Sequence, residues 1–159
     1  MAVYPLARLV GLREHRRDDA RSRQQAAHQA VLQAADEVKK RERELEEYKV
    51  WREEEIERRY AAIKEQVLEQ QELEEFKAGL AQLNARDAIL TEAIAQAEHE
   101  LDKAKEEEEK THVALLECTK ALGKLEEHRK QWLRSQAVLE EQQADLELED
   151  FHGKALTDV

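Results

Sequence analysis

Two rows of side chains, each repeating every seven residues, run through the second half of the chain. One row holds Leu73, Leu80, Asp87, Ile94, Leu101, Glu108, Leu115, Leu122 and Arg129. The other holds Phe76, Leu83, Leu90, Ala97, Ala104, Thr111, Cys118, Leu125, Trp132, Leu139 and Leu146, with Thr111 its one polar member. A strict seven-residue repeat keeps one stripe of a helix against a partner helix and gives a left-handed two-helix seam. The register passes unbroken through Gly79 and Asn84. Residues of these types often end helices, but a turn here would reset the phase, so the helix is expected to run through both.

The first half is patterned differently. Val10, Arg17, Gln24, Val31, Val38 and Leu45 alternate with Arg13, Ala20, Ala27, Ala34, Arg41 and Tyr48. The phase then shifts by one residue to Ile56, Tyr60, Ile63 and Val67, which reads as a stutter between Tyr48 and Tyr60. Pro5 suits the first turn of a helix, where its missing N–H would be unpaired anyway. Charged residues make up 40% of the chain, with four glycines and one proline. About a quarter charged is ordinary for a globular domain, so this is long-helix or coiled-coil composition. The regular apolar spacing argues against disorder, which high charge and few aromatics could also signal.

The stretch Lys64 to Glu72 is where the phase breaks, and a short connection there makes the helices antiparallel neighbours. The expected fold is all-α, a long antiparallel two-helix coiled-coil hairpin forming one domain. Helix 1 is placed at about 5–66, the turn at about 67–72, helix 2 at about 73–151 and a disordered tail at about 152–159. Residue i should then face about 139 − i, so that Tyr48 meets Leu90 and Leu6 meets Trp132 or Leu133.

The net charge of −11 argues against nucleic acid as the main ligand, since such binders carry a basic footprint. The charge is unevenly placed. Residues 8–23 hold six arginines (Arg8, Arg13, Arg16, Arg17, Arg21, Arg23) against three acids, net +3, whereas residues 137–159 hold seven acids against Lys154, net −6. A membrane-surface or nucleic-acid role led by the basic start is weakened by the acids interleaved with it and by the acidic total.

No Gly-rich phosphate loop, GxSxG or HExxH occurs. None of the six histidines lies four residues from another, and Glu108 with His112 supplies two candidate ligands where a metal site needs three or four. No metal, cofactor or catalytic residue is expected, and a two-helix seam offers no concave substrate pocket. Cys118 in the seam reads as a small buried hydrophobe, and a single cysteine fits a reducing compartment. No apolar run approaches the roughly 18 residues needed to span a bilayer, and Met1–Leu6 is too weakly apolar for a secretory leader. The chain is expected to be cytoplasmic, without direct membrane insertion.

Two local features narrow the class. One is Tyr48-Lys49-Val50-Trp51-Arg52-Glu53-Glu54-Glu55 followed by Arg58-Arg59-Tyr60; the other is Leu73-Glu74-Glu75-Phe76, continued on one face by Leu80, Leu83 and Asp87. With the length and two-helix layout, they resemble the YscO family of type III secretion stalk proteins and, more distantly, the flagellar export protein FliJ. The resemblance implies a stalk that docks in the pore of a hexameric secretion ATPase and reaches toward the cytoplasmic domain of an export-gate membrane protein. It also implies escort of secretion chaperones, a monomer in solution, and a place at the inner-membrane base of a bacterial secretion apparatus, with a role in virulence.

Carried onto this chain, the gate-facing patch falls on Phe76, Leu80, Leu83 and Asp87. Asp87 stands where the flagellar relatives usually have histidine, and all four also lie on the seam. Arg13, Arg16, Arg17, Arg21 and Arg23 are the candidates for gripping the ATPase. Their other reading is a solvated face beside the acidic C-terminal arm. Tyr48 and Trp51 complete the partner-binding set: of Trp51 and Arg52 only one can point into the seam, because adjacent helix positions diverge by about 100°. A generic dimeric coiled-coil adaptor or spacer remains the alternative at this stage.

Overall fold

The structure, a computed structural model, describes residues 2–157. It holds two helices, α1 (Ala7–Ile63) and α2 (Gln70–Thr157). Pro5 lies in the turn leading into α1, where the Ala7 N–H donates to the Tyr4 carbonyl (3.2 Å) and the Val10 N–H to the Leu6 carbonyl (3.0 Å).

The connection, Lys64–Glu69, comes earlier than the repeat suggested and needs neither proline nor glycine. Lys64 N–H completes the last turn by donating to the Tyr60 carbonyl (3.0 Å), after which Glu65 takes a left-handed φ of 70°. A left-handed residue just past the last turn is a common way to stop a helix, and it is usually glycine. The chain restarts at Gln70, where the Leu73 N–H donates to the Glu69 carbonyl (3.0 Å) and the Glu72 carboxylate favours the helix N-terminus. At the far end the expected disorder from residue 152 is corrected: α2 is helical to Thr157. Gly153 is a single weak helix former among good ones, and Lys154 in the last turn favours the negative end of the helix dipole. Residues 158 and 159 of the expected tail lie outside the described ones.

The helices pair in two compact units. One combines the described residues up to Gln24 with those from Thr111 onward; the other is Gln25–Lys110. In the first unit Tyr4 (6% exposed), Val10 and Leu122 (2%) form the core, with Leu125 and Trp132 packed against them. The Tyr4 ring meets Trp132 edge-on (centroids 5.5 Å apart), and its hydroxyl lies 2.6 Å from His128 Nδ1. Tyr4 precedes the helix, so the heptad pattern carries no expectation for it. In the second unit Ala27, Val38, Leu83 and Ala97 are buried. There the His28 ring lies 3.5 Å from Glu108, and the Tyr60 ring meets Phe76 edge-on at 5.1 Å. Tyr4–Trp132, His28–Glu108 and Tyr60–Phe76 all obey one rule, residue i opposite 136 − i. Both units are therefore antiparallel pairs, and the chain is an all-α helical hairpin. These three pairs lie at a smaller offset than expected, as the earlier connection requires, whereas Arg52 opposite Asp87 keeps the expected 139 − i. Tyr48 reaches past its opposite position, its hydroxyl donating to the Leu83 carbonyl (2.6 Å) rather than meeting Leu90.

On α2 both predicted rows face α1. Every member from Phe76 to Trp132 except Arg129 is buried or half-buried, while Leu73, Arg129, Leu139 and Leu146 are exposed. On α1 the expected stutter is only partly present. The earlier phase continues through Arg52, Glu55 and Arg59, which are half-buried, and of the shifted row Ile56 and Ile63 are half-buried while Tyr60 and Val67 are exposed.

The reason is that charge can be satisfied in this stretch of seam. Arg52 donates to Asp87 across the helices (2.5 Å), with the two side chains 19% and 26% exposed. Glu55 accepts from Arg59 Nε (3.0 Å) and pairs with Arg58. Gly79 leaves room for Arg59: a Cβ there would lie 2.9 Å from its guanidinium.

Two stability outcomes follow from this geometry. Glu65→Gly removes a left-handed strain of about 1–2 kcal/mol and adds back about 1 kcal/mol of chain entropy. It should therefore leave stability unchanged or raise it by up to about 1 kcal/mol in chemical unfolding, whereas Glu65→Val should lower it. The Arg52–Asp87 pair is only half satisfied, because Asp87 Oδ1 is buried without a partner. Removing one member strands a partly buried charge, so Asp87→Ala should cost on the order of 2 kcal/mol, and the double replacement R52L/D87L should be as stable as the native chain or more so.

Candidate partner-binding surfaces

The Gln25–Lys110 unit carries the aromatic group. Arg52 takes the inward position to reach Asp87, and this turns the adjacent Trp51 outward. Trp51 is 45% exposed and Val50 53%. Tyr48 is held by its bond to the Leu83 carbonyl, and its ring stands 5.7 Å from that of Trp51, tilted 35°. Trp51 is thus an exposed aromatic braced by a neighbour that is itself fixed. Glu47 and Glu54, four residues before and three after, are exposed on the same side of α1 and give the aromatic an acidic border.

Of the other expected partner-binding residues, Leu83 is buried at 7% exposure, Phe76 and Leu80 are half-buried in the seam, and Asp87 is engaged by Arg52. Tyr60, a member of the expected stutter row, covers Phe76 edge-on from an exposed position. Its 136 − i relation to Phe76 becomes visible only once the register is known. Trp51 is therefore the member of the expected set most open to solvent.

The other unit carries the arginines. Arg16, Arg21 and Arg23 are exposed, while Arg13 and Arg17 are half-buried. Arg17 grips its neighbour Asp18 through Nε (3.1 Å) and a terminal nitrogen (2.9 Å). Arg13 Nε is enclosed without a hydrogen-bond partner. Arg13 and Arg16 border a shallow groove floored by Cys118 and Ala121, with Glu117 at its edge.

Lys120 and Lys124 of α2 border the adjoining groove. Sequence reasoning missed this contribution, because it counted charge along the chain and not across the seam. Segments 8–24 and 111–134 together hold eleven basic side chains against six acidic ones, a net +5.

Among the described residues, no group of three or more His, Cys, Asp and Glu is placed to hold a metal ion. No helix among them is long and apolar enough to cross a membrane.

Comparison with known proteins places this geometry. The family model for the type III secretion protein YscO matches residues 6–154. The crystal structure of type III secretion protein YscO from Vibrio parahaemolyticus superimposes with a TM-score of 0.83, at 30% identity, over 92% of each chain. No match was found among curated proteins. A family model spanning nearly the whole chain, together with a whole-length structural match, shows that this helical hairpin belongs to the YscO family of type III secretion proteins.

Proposed function

We propose that the chain is a non-enzymatic stalk and adaptor of a type III export apparatus, cytoplasmic and seated at its inner-membrane base. In this reading the basic face of Arg13, Arg16, Arg17, Arg21 and Arg23 holds the hexameric secretion ATPase. The face built on Tyr48 and Trp51, with Phe76, Leu80, Leu83 and Asp87 beneath it, meets the cytoplasmic domain of the export-gate membrane protein. Secretion chaperones are further cargo of the same adaptor, and type III secretion of this kind serves virulence.

Family membership supplies the secretion role. The observation that carries the finer reading is that the arginines and the outward Trp51 fall in different structural units, which suits a chain with two partners. Each surface has a physical rationale. Exposed charge steers and orients docking against acidic loops. A half-exposed tryptophan supplies the large apolar contact typical of binding hot spots.

The ATPase contact is tested by titrating the purified chain into its cognate ATPase while following hydrolysis and hexamer formation. Both should rise. The triple substitution of Arg16, Arg21 and Arg23 by Glu should abolish the effect without loss of helix content, since all three are exposed. Trp51→Ala should weaken binding to the isolated gate domain by tenfold or more, the scale of a hot-spot residue of about 1.4–2 kcal/mol, and leave ATPase stimulation intact. An unaffected gate affinity would remove Trp51 from the interface.

A further inference from the structure

The unit containing both chain ends has an unbalanced construction. Its interhelix contacts reach Tyr4 against Trp132, yet α2 continues to Thr157. Residues 137–156 are exposed throughout, including Val138 (51%), Leu139 (49%), Leu146 (60%), Leu148 (57%) and Phe151 (69%). Residues 135–157 hold six acids against one lysine, a net −5. A single helix of this length is marginal in water on its own, and most helical stability in proteins comes from packing an apolar face.

The complement of this overhang lies on the paired part of the same unit. Segments 8–24 and 111–134 carry a net +5. Among their basic side chains stand exposed apolar ones, Leu12 (44%), Val113 (44%), Leu116 (46%) and Leu133 (48%). The lengths also agree: about twenty residues of overhang and a paired segment of similar size each span about 30 Å at 1.5 Å per residue.

We propose that the chain forms a two-fold dimer in which the acidic overhang of α2 from one copy lies along the basic helix pair of the other. In this arrangement the second copy's α2 runs toward the junction, so the first copy's overhang passes it antiparallel. Both overhangs and both basic faces are covered at once. The same patch is used on both copies, so the assembly closes at two and does not grow into a filament. Charge of opposite sign and equal size, matched length and closure select a second copy as the occupant. The dimer is a state of the free chain, in place of the monomer that the family resemblance implies. It covers the arginine face, so a second copy and the ATPase are alternative occupants of that face, and the test uses the full chain alone.

Sedimentation equilibrium from micromolar to millimolar concentration tests it. At low ionic strength the native chain should dimerise, with affinity falling tenfold or more by 0.5 M salt as exposed charge is screened. Reversing the overhang (Glu140, Glu141, Asp145 and Glu147 each to Lys) should give a monomer, and so should reversing the basic face (Arg16, Arg21 and Arg23 each to Glu). Mixing the two variants should restore a dimer containing one of each, because every contact is then again between opposite charges. Circular dichroism confirms that the helices survive.

A native chain that stays monomeric across the range would overturn the proposal. So would reversed variants that dimerise like the native chain, or a mixture of reversed variants that stays monomeric. A monomeric native chain whose overhang is nevertheless protected when a basic partner protein is added would reassign the overhang to that partner.

Discussion

Apolar contact along a seam only two helices wide holds α1 to α2. Such a seam has no second layer to absorb errors of register. Leu122, at 2% exposure between Tyr4 and Val10, is the most deeply buried side chain in it, and much of the remaining contact is small, with Ala20, Ala27 and Ala97 buried. Each side chain contributes modestly, so the register must be right along the whole length of each unit. Advancing one helix by a residue in its phase would turn its inward stripe by about 100° and out of contact. Pairs at 136 − i recur in both units, with other cross-helix contacts a few residues to either side, and this register decides which residues are free to do anything else.

The charged stretch of the seam shows how register and surface are linked. Arg52 in the inward position costs desolvation, and a buried ion pair commonly repays that cost only in part. Apolar residues at both positions would stabilise the pair at least as well. What Arg52 and Asp87 add is directionality, since a partly buried charge on one helix favours the alignment that brings its counter-charge opposite. The inward arginine also determines the outward tryptophan: with Arg52 committed to Asp87, Trp51 faces solvent beside Tyr48.

The α2 seam was legible from the sequence because its heptads are nearly free of interruption; both rows from Phe76 to Trp132, apart from the exposed Arg129, could be read off as inward. The α1 seam was legible only as far as Tyr48. Beyond it the apolar residues Ile56, Tyr60, Ile63 and Val67 suggest a phase shift, because periodicity counts apolar side chains and is blind to charge that finds a partner across the seam. Arg52, Glu55 and Arg59 are inward for that reason, and Gly79 opposite Arg59 was the available hint. The connection lies within the expected Lys64–Glu72 stretch but opens before the expected turn at about 67–72, for a related reason. Its stop signal is the backbone conformation of Glu65, which leaves no mark in composition. Tyr4 lay beyond the reach of the repeat altogether. The arginines and Trp51 were visible as residue types, but their exposure, and the lysines that α2 adds beside the arginines, required the register.

In the proposed reading, a protein of the YscO family with an outward tryptophan in one unit and an arginine face in the other connects two partners. Site-specific photocrosslinking in assembled secretion machinery tests this most directly, with one photoreactive residue replacing Trp51 and another replacing Arg21. The account predicts that position 21 captures the ATPase and position 51 the cytoplasmic domain of the gate protein. Capture of one and the same protein from both positions, or of neither of these two, would contradict it.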